Sequence, residues 1–318
     1  MDAIDTEALT KNYSIGFWRP RPYRALDGLT LRVAPGEVFG CLGPNGAGKT
    51  TTLKLLMQLV FPTSGSARIL GRPVGDLSVR RRIGYLQENP YFYDYLTAQE
   101  LLEYFAGLFG YGGAERRSRA SRLLDEVGIG AERRLQLRKF SKGMIQRVGI
   151  AQALVNDPEV IFLDEPMSGL DPLGRREIRQ LVLRLRDRGC TVFFSSHVLS
   201  DAEALCDRVG ILVGGKLVAS GTLSELLEGR TKGWELVVSG ISRDVAARVA
   251  AEATAVTSVG RDRHVLELPL TVSPERILSA LVFHGASLVS LTPVRDTLED
   301  FFVQRVATAS SDRGLAAK

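Results

Sequence analysis

Gly43-Pro44-Asn45-Gly46-Ala47-Gly48-Lys49-Thr50-Thr51 is the stretch that decides the fold. It fits the pattern G-x-x-x-x-G-K-[ST], whose residues cradle phosphate groups. The pattern carries weight only between a strand and a helix, and both neighbours are present. The apolar residues 38–42 read as a buried strand, and 53–59 read as a helix. Gly43, Gly46 and Gly48 allow backbone conformations that a Cβ opposes. Successive N–H groups then converge on phosphate oxygens, helped by the positive end of the following helix. Lys49 supplies a point charge for β- and γ-phosphates, and the Thr50 hydroxyl is placed for Mg²⁺.

The bulk properties bound the answer. At 318 residues the chain is long for one domain and comfortable for two. Its hydrophobic share of 45% is that of an ordinary globular protein. No apolar run approaches the ~20 residues that span a bilayer. The opening Met1-Asp2-Ala3-Ile4-Asp5 is acidic where a secretory signal is basic. The expectation is a soluble, cytoplasmic chain that docks on a membrane protein without entering the membrane. The net charge of +5 is modest. Arg80-Arg81-Arg82 and Arg116-Arg117 read as solvated helix faces ahead of contacts to nucleic acid or lipid. Cys41, Cys190 and Cys206 lack metal-like spacing and read as reduced core thiols.

Along the chain, residues 1–37 read as short strands and turns, and 88–155 has helical periodicity. Thr97-Ala98-Gln99-Glu100 reads as a capping box opening a helix over 101–109, which Gly110, Gly112 and Gly113 end. Val160-Ile161-Phe162-Leu163 is an unbroken apolar strand, as in a parallel sheet covered on both faces. A charged helix over 174–188 and a strand over 191–194 follow. Strands 209–213 and 216–219 flank Gly214-Gly215, a two-residue hairpin turn. The character changes near 229–233. Beyond it the pattern gives strand 234–239, helix 242–254, strands 256–259 and 264–270, helix 274–283, strand 287–292 and helix 296–306. This is the order of a small βαββαβ module, with Ser273-Pro274 as a helix start. Residues 307–318 read as a disordered tail.

Asp164 and Glu165 end the apolar strand, on the edge where α/β sheets bind ligands. Asp164 is placed to organise Mg²⁺, and Glu165 to polarise an attacking water as general base. His197 follows the 191–194 strand and Ser195-Ser196, a position suited to a hydrogen bond with a γ-phosphate. Gln87 follows a short apolar run and is a candidate for the metal or the water.

Taken in order, these pieces resemble the nucleotide-binding subunit of an ATP-binding cassette (ABC) transporter. Residues 43–51 match its Walker A loop, Gln87 its Q-loop and Ser141-Lys142-Gly143-Met144 its signature. Residues 160–165 match its Walker B strand, Ser168-Gly169-Leu170-Asp171 its D-loop and His197 its H-loop. The resemblance covers about residues 5–225. It implies an α/β fold: a P-loop NTPase, the ABC ATPase domain, over 1–228. That domain would have a RecA-like core, an antiparallel β subdomain and a helical subdomain at about 88–155. A small α+β ferredoxin-like accessory domain would occupy 229–306.

The resemblance also implies bound ATP and Mg²⁺, with hydrolysis driving a separate transmembrane permease for export. Tyr13, Gly43, Pro44, Asn45, Gly46, Ala47, Gly48, Lys49, Thr50 and Thr51 would contact ATP. Glu165, His197, Gln87 and Lys49 would be catalytic, and Thr50, Gln87 and Asp164 would face the metal. Two subunits, alike or different, would pair head to tail. Ser141, Lys142, Gly143 and Met144 would then meet the partner's ATP, with Asp171 crossing the interface. The subunit would lie on the cytoplasmic face of the membrane through its permease, with no nucleic-acid partner.

Two departures stand out. The usual signature is Leu-Ser-Gly-Gly-Gln, whereas this chain has Phe140-Ser141-Lys142-Gly143-Met144. The variant resembles exporters whose membrane domain is a separate chain. Lys142 either adds charge near the γ-phosphate or points to solvent, and solvent is preferred. Tyr13 is the best match for the aromatic that stacks on adenine. The segment 14–24 is several residues longer than usual. Its Phe17, Trp18 and Tyr23 are secondary stacking candidates, or a small surface cluster. Tyr91-Phe92-Tyr93-Asp94-Tyr95 reads as the surface that receives the permease's coupling helices, or as local packing. The competing reading is a soluble ABC ATPase acting on nucleic acid or ribosomes. Such proteins usually carry two cassettes or long coiled-coil arms, and this sequence has neither. A catalytically dead regulator is disfavoured, because Lys49, Asp164, Glu165 and His197 are all present.

Overall fold

The computed structural model describes residues 1–16, 18, 21–227, 231–260, 262–295 and 297–303. The chain divides into two compact units, one spanning Met1–Leu223 and the other beginning at Ser224.

The first unit opens with β1 (Ile4–Ile15) and β2 (Arg21–Val33), an antiparallel pair. These are two long strands, not the short pieces expected over 1–37. Register shifts between Thr6 and Asn12, with Ala8 at φ 46°, break the alternation that would have announced them. The apolar β3 (Val38–Leu42) follows, then the glycine-rich turn and α1 (Lys49–Leu56). This helix begins at Lys49 and not at 53, so Lys49 and Thr50 belong to its first turn. β4 (Ser64–Ile69) and β5 (Arg72–Pro73) complete an antiparallel sheet in the order β2-β1-β4-β5. α2 (Leu77–Arg80) leads into β6 (Ile83–Leu86).

A helical region carries α3 (Ala98–Leu108), α4 (Gly113–Glu126) and α5 (Lys142–Ala153). The capping box closes at α3. Thr97 N–H donates to Glu100 Oε2 at 2.8 Å, and Glu100 N–H donates to Thr97 Oγ1 at 3.2 Å. Such a cap stabilises a helix by about 1 kcal/mol. Ser141 caps α5, its Oγ accepting from Met144 N–H at 3.2 Å.

The chain then runs through β7 (Val160–Asp164), α6 (Pro172–Asp187), β8 (Thr191–Ser196) and α7 (Leu199–Leu205). β9 (Arg208–Val213), β10 (Lys216–Thr222) and α8 (Leu223–Leu227) follow. One sheet takes the order β10-β9-β3-β8-β7-β6, parallel except for edge strand β10. The two faces of β7 explain its unbroken apolar run. Val160 and Phe162 join a core with α1 and the antiparallel sheet, whereas Ile161 and Leu163 join one with α3 to α6. Phe39 and Phe193 stack on the first face with centroids 5.5 Å apart. Each ring so buried contributes roughly 1.5–3 kcal/mol over exposure.

The second unit contains β11 (Thr231–Ser239), α9 (Arg243–Val249) and β12 (Ala255–Val259). β13 (Arg263–Pro269), α10 (Pro274–Phe283) and β14 (Ser287–Arg295) complete it. Its antiparallel sheet has the order β12-β13-β11-β14. Leu236, Val238, Leu266 and Leu268 alternate onto the face covered by Ala250, Ile277 and Leu281. α9 stops well short of 254, because Ala250 leaves the helical region at ψ 45°. A further helical stretch covers 298–303. The expected boundary at 229 and the expected tail over 307–318 lie outside the described residues.

Gly84 in β6 marks a tight backbone approach. A Cβ there would stand 2.1 Å from the Ala153 carbonyl oxygen at the end of α5. Backbone atoms do not swing aside as a flexible side chain does. Gly84→Ala is expected to lower the melting temperature by about 5–10 °C, equivalent to ~2–3 kcal/mol of overpacking. Scanning calorimetry checks this; an unchanged melting temperature would mean that α5 can slide off β6 at no cost.

Candidate active site

The carboxyl ends of β3, β7 and β8 open onto a cavity of about 580 Å³. Residues 45–51 line it together with Tyr13, Tyr23, Ala25, Glu88, Glu165, Ser168 and His197. Gly48 is the N-cap of α1 at φ 107°, and a Cβ there would meet the Ala25 carbonyl oxygen at 2.6 Å. Only glycine serves at such a position. The first N–H groups of α1 have no helical acceptors and form an anion site.

Glu165 lies at the centre. It follows β7 at φ 49°, a left-handed conformation uncommon for a residue with a side chain. Its Oε1 faces Lys49 Nζ at 3.3 Å, and its Oε2 lies 2.9 Å from His197 Nδ1. Lys49 also donates to the carbonyls of Gly43 and Pro44 at 2.8 and 3.3 Å. Glu165 N–H donates to Ser195 Oγ at 2.9 Å, and that hydroxyl donates to Asp164 Oδ1 at 2.6 Å. Thr50 Oγ1 donates to the same oxygen at 3.2 Å. Burial pushes the Asp164 carboxyl above its ordinary range. The hydrogen bonds from Ser195 and Thr50 oppose that rise, and the charges of Glu88 and Glu165 add to it.

Lys49, Thr50, Asp164, Glu165 and His197 are therefore gathered at one place. Gln87 stands apart. Its Nε2 donates to the Asn89 carbonyl at 3.2 Å, and it lines a different groove with Tyr91 and Phe92. Its neighbour Glu88 lines the cavity instead. Tyr13 and Tyr23 face each other across β1 and β2, and both line the cavity. Tyr23 Oη lies 3.5 Å from the Gly46 carbonyl oxygen. Trp18 is 89% exposed and lies away from the cavity lining. Phe17 lies outside the described residues.

Ser141, Lys142, Gly143, Met144 and Asp171 line a second cavity of about 510 Å³, which shares no lining residue with the first. Asp171 caps α6, its Oδ1 accepting from Gly174 N–H at 2.8 Å. Lys142 is exposed, but its stem lies over Gly169, where a Cβ would stand 3.0 Å from Nζ. Ser195, Gln146 and Glu88 were not singled out from sequence. Gln146 is buried, and its Nε2 donates to the Pro166 carbonyl at 3.2 Å, fastening α5 to the segment after Glu165. The polar end of an apolar strand was the available signal for Ser195. Glu88 and Gln146 offered none.

The remaining candidates are structural. Arg82 holds both Glu159 oxygens at 2.5 and 2.6 Å, and Arg80 donates to Gln58 Oε1 at 2.8 Å. Cys41, Cys190 and Cys206 are unbridged thiols. Burial pushes Cys41 and Cys190 up to about 12, and Cys206 well above its ordinary value. Among the described residues, no group of His, Cys, Asp and Glu is arranged to hold a metal ion unaided. No described helix is long and apolar enough to cross a membrane.

The family model for ABC transporters matches residues 26–168. An uncharacterised ABC transporter ATP-binding protein of Synechocystis is 43% identical over 307 residues, covering 96% of this chain and 85% of that protein. This chain belongs to the ATP-binding proteins of ABC transporters. The bacitracin transport ATP-binding protein BcrA of Bacillus licheniformis is 35% identical to the ABC subunit, across 95% of this chain and 97% of that one. The solved dimeric cassette MJ0796, in a post-hydrolysis state with ADP and Pi, superposes with TM-score 0.64 at 29% identity. That likeness covers 69% of the ABC subunit and 98% of the solved chain. The ABC subunit has the P-loop ABC ATPase fold, binds ATP and hydrolyses it to drive transport.

The raised Asp164 carboxyl gives the ABC subunit a pH signature. Between the unfolded and the folded pKa, the folded state holds more protons. Its stability therefore falls as pH rises through that window. Asp164→Asn keeps an oxygen for Ser195 and Thr50 and removes the buried charge. Without nucleotide and in EDTA, this variant is expected to melt a few degrees above the parent at neutral pH. The gap should narrow on acidification toward about pH 4, the ordinary carboxylate range. Fluorimetric melts across pH check this; a variant less stable than its parent at neutral pH would contradict it.

Proposed function

We propose that this ABC subunit powers export through a separate membrane permease, by closing around two ATP molecules with a second cassette. One observation carries the reading. Lys49, Thr50, Glu165 and His197 line one cavity, and the signature residues line another with no member in common. A single subunit therefore presents two half-sites, and head-to-tail pairing would complete both. The partner would be a second copy or another ABC subunit. The signature variant at Ser141–Met144 and the likeness to a bacitracin transport protein support export. No observation favours a nucleic-acid or ribosomal role.

Each residue has a chemical part in this reading. Lys49 and the N–H groups of residues 45–51 bind the β- and γ-phosphates, and Tyr13, with Tyr23 opposite, stacks on adenine. Thr50 Oγ1 and the Asp164 carboxylate are hard oxygen donors already in mutual contact, which fits Mg²⁺ completed by phosphates and water. Bound there, Mg²⁺ would neutralise phosphate charge. Lys49 moves from Glu165 Oε1 to the phosphates when ATP enters. That frees the carboxylate to take a proton from the attacking water, while His197 holds its other oxygen. Gln87 reaches the site only after its amide leaves Asn89. Asp171 would cross the interface from its place as the cap of α6.

This reading assigns an ATPase domain to 1–228 and an accessory domain to 229–306, near the division of the chain between Leu223 and Ser224. The strand order β12-β13-β11-β14, with helices on one face, supports a ferredoxin-like fold for the second. Its role is regulation or support of the dimer. The permease docks at the groove of about 510 Å³ beside Gln87, which Tyr91, 85% exposed, lines; Tyr95, 60% exposed, follows four residues later. Phe92 instead packs on the helical core and belongs to local structure. The subunit thus works on the cytoplasmic face of the membrane.

Glu165→Gln is expected to bind ATP at least as tightly as the parent, since the competing carboxylate charge is gone. It should turn over on the order of a hundredfold more slowly, as expected for loss of a general base, and accumulate as an ATP-bound dimer. Phosphate release and light scattering read both effects; parental turnover would remove Glu165 as the base. Replacing Tyr91 and Tyr95 with Ser should leave soluble ATPase activity within about twofold, as for surface changes, and reduce recovery on permease-containing membranes. Undiminished membrane recovery would place docking elsewhere.

A further inference from the structure

Asp201 is a buried carboxylate with no part in the site described above. It lies in α7, just after His197, and is 1% exposed. Two arginines one turn apart on α6 reach it. Arg179 Nη2 stands 2.5 Å from Oδ1, and Arg175 Nη1 stands 3.8 Å from Oδ2. Each carboxylate oxygen thus has its own guanidinium, as a buried charge requires. Arg175 makes a second contact. Its Nε donates to the Leu170 carbonyl at 3.3 Å, within the loop over 168–171. A small void of about 70 Å³ separates that loop from the His197 segment, with Glu165, Ser168, Arg175, His197 and Asp201 on its walls.

We propose that Asp201 and Arg175 are positioning residues for hydrolysis, tying the His197 segment to the 168–171 loop so that both respond together to the nucleotide. Neither residue touches the reacting groups. His197 holds Glu165, and α7 begins two residues later. Asp201 fastens α7 to α6, and Arg175 carries the connection to Leu170. A change of partner at His197 that shifts α7 is thereby passed to the loop facing the second half-site. Simple stapling of α6 to α7 needs Arg179 alone. It does not need a second arginine turned toward a loop carbonyl. The inference rests on the reading that sets the 168–171 loop against a partner's nucleotide.

The test is steady-state ATPase kinetics of Arg175→Lys. A single ammonium cannot serve Asp201 and Leu170 as the guanidinium fork does. The expected result is a kcat lowered on the order of tenfold, with KM for ATP within about twofold. Asp201→Asn should show the same split. The double variant should be no slower than the slower single one, because both residues act on one connection. A kcat for Arg175→Lys close to the parent's, or losses that multiply in the double variant, would overturn the proposal. Arg175 is 32% exposed, so the lysine variant decides the matter even if Asp201→Asn fails to fold. Glu165→Gln serves as the control. Its full activity would undo the active-site reading itself, whereas a silent Glu165→Gln beside a fully active Arg175→Lys would overturn only the coupling.

Discussion

A carboxylate withdrawn from water must be answered by positive charge or by hydrogen bonds. In this ABC subunit Glu165 is answered twice, by Lys49 on one oxygen and His197 on the other. Those two partners come from the helix after the phosphate loop and from the end of β8. Three parallel strands must therefore end level for the site to exist. The phenylalanines of β3, β7 and β8, packed on one another, set that level from below, well inside the core. Ser195 fixes it from above by joining Glu165 N–H to Asp164. Lys49, Glu165 and His197 are thus held as one connected polar group on the wall of the cavity.

Division of the functional groups between two cavities follows from the topology. The phosphate loop follows β3, inside the sheet, whereas the signature residues open α5 on the helical side. The backbone approach at Gly84 seats the end of α5 on β6, and the Gln146 bond to Pro166 fastens the same helix to the segment after Glu165. The signature helix is therefore tied to the segment after its own Glu165, and in the proposed pairing it would serve a different nucleotide. A pair of such subunits would have each catalytic centre built on one chain and gated by the other.

Much of this was legible in the sequence, because the decisive motifs are local. The glycine-rich turn, the apolar strand ending in Asp164-Glu165, and the Thr97–Glu100 box each lie within a few consecutive residues. The second unit's order of strands and helices was also legible, since Ser273-Pro274 and the alternating apolar residues are local signals. What escaped depends on partners distant in the chain. Ser195 acts on residues 30 and 31 positions away, and Gln146 on one 20 positions away. No spacing rule reports such contacts. The length of β1 and β2 escaped for another reason, since bulges interrupt the period of two on which strand reading rests. Gln87 was placed by motif order, but its side-chain direction is set by the turn to Asn89, which order does not encode.

The thiols have a consequence for how this ATPase meets oxidants. Sulfur reacts chiefly as thiolate, and burial keeps all three cysteines protonated far above neutrality. Cys41 sits two positions before the first glycine of the phosphate loop, where a reactive sulfur would let peroxide or glutathione silence the enzyme. Sealed as it is between α1 and the aromatic core, it offers no such handle. Turnover in this cassette is accordingly expected to be indifferent to the redox state of its surroundings. Its native cysteines would form a quiet background against which reporter thiols could be placed on either half-site.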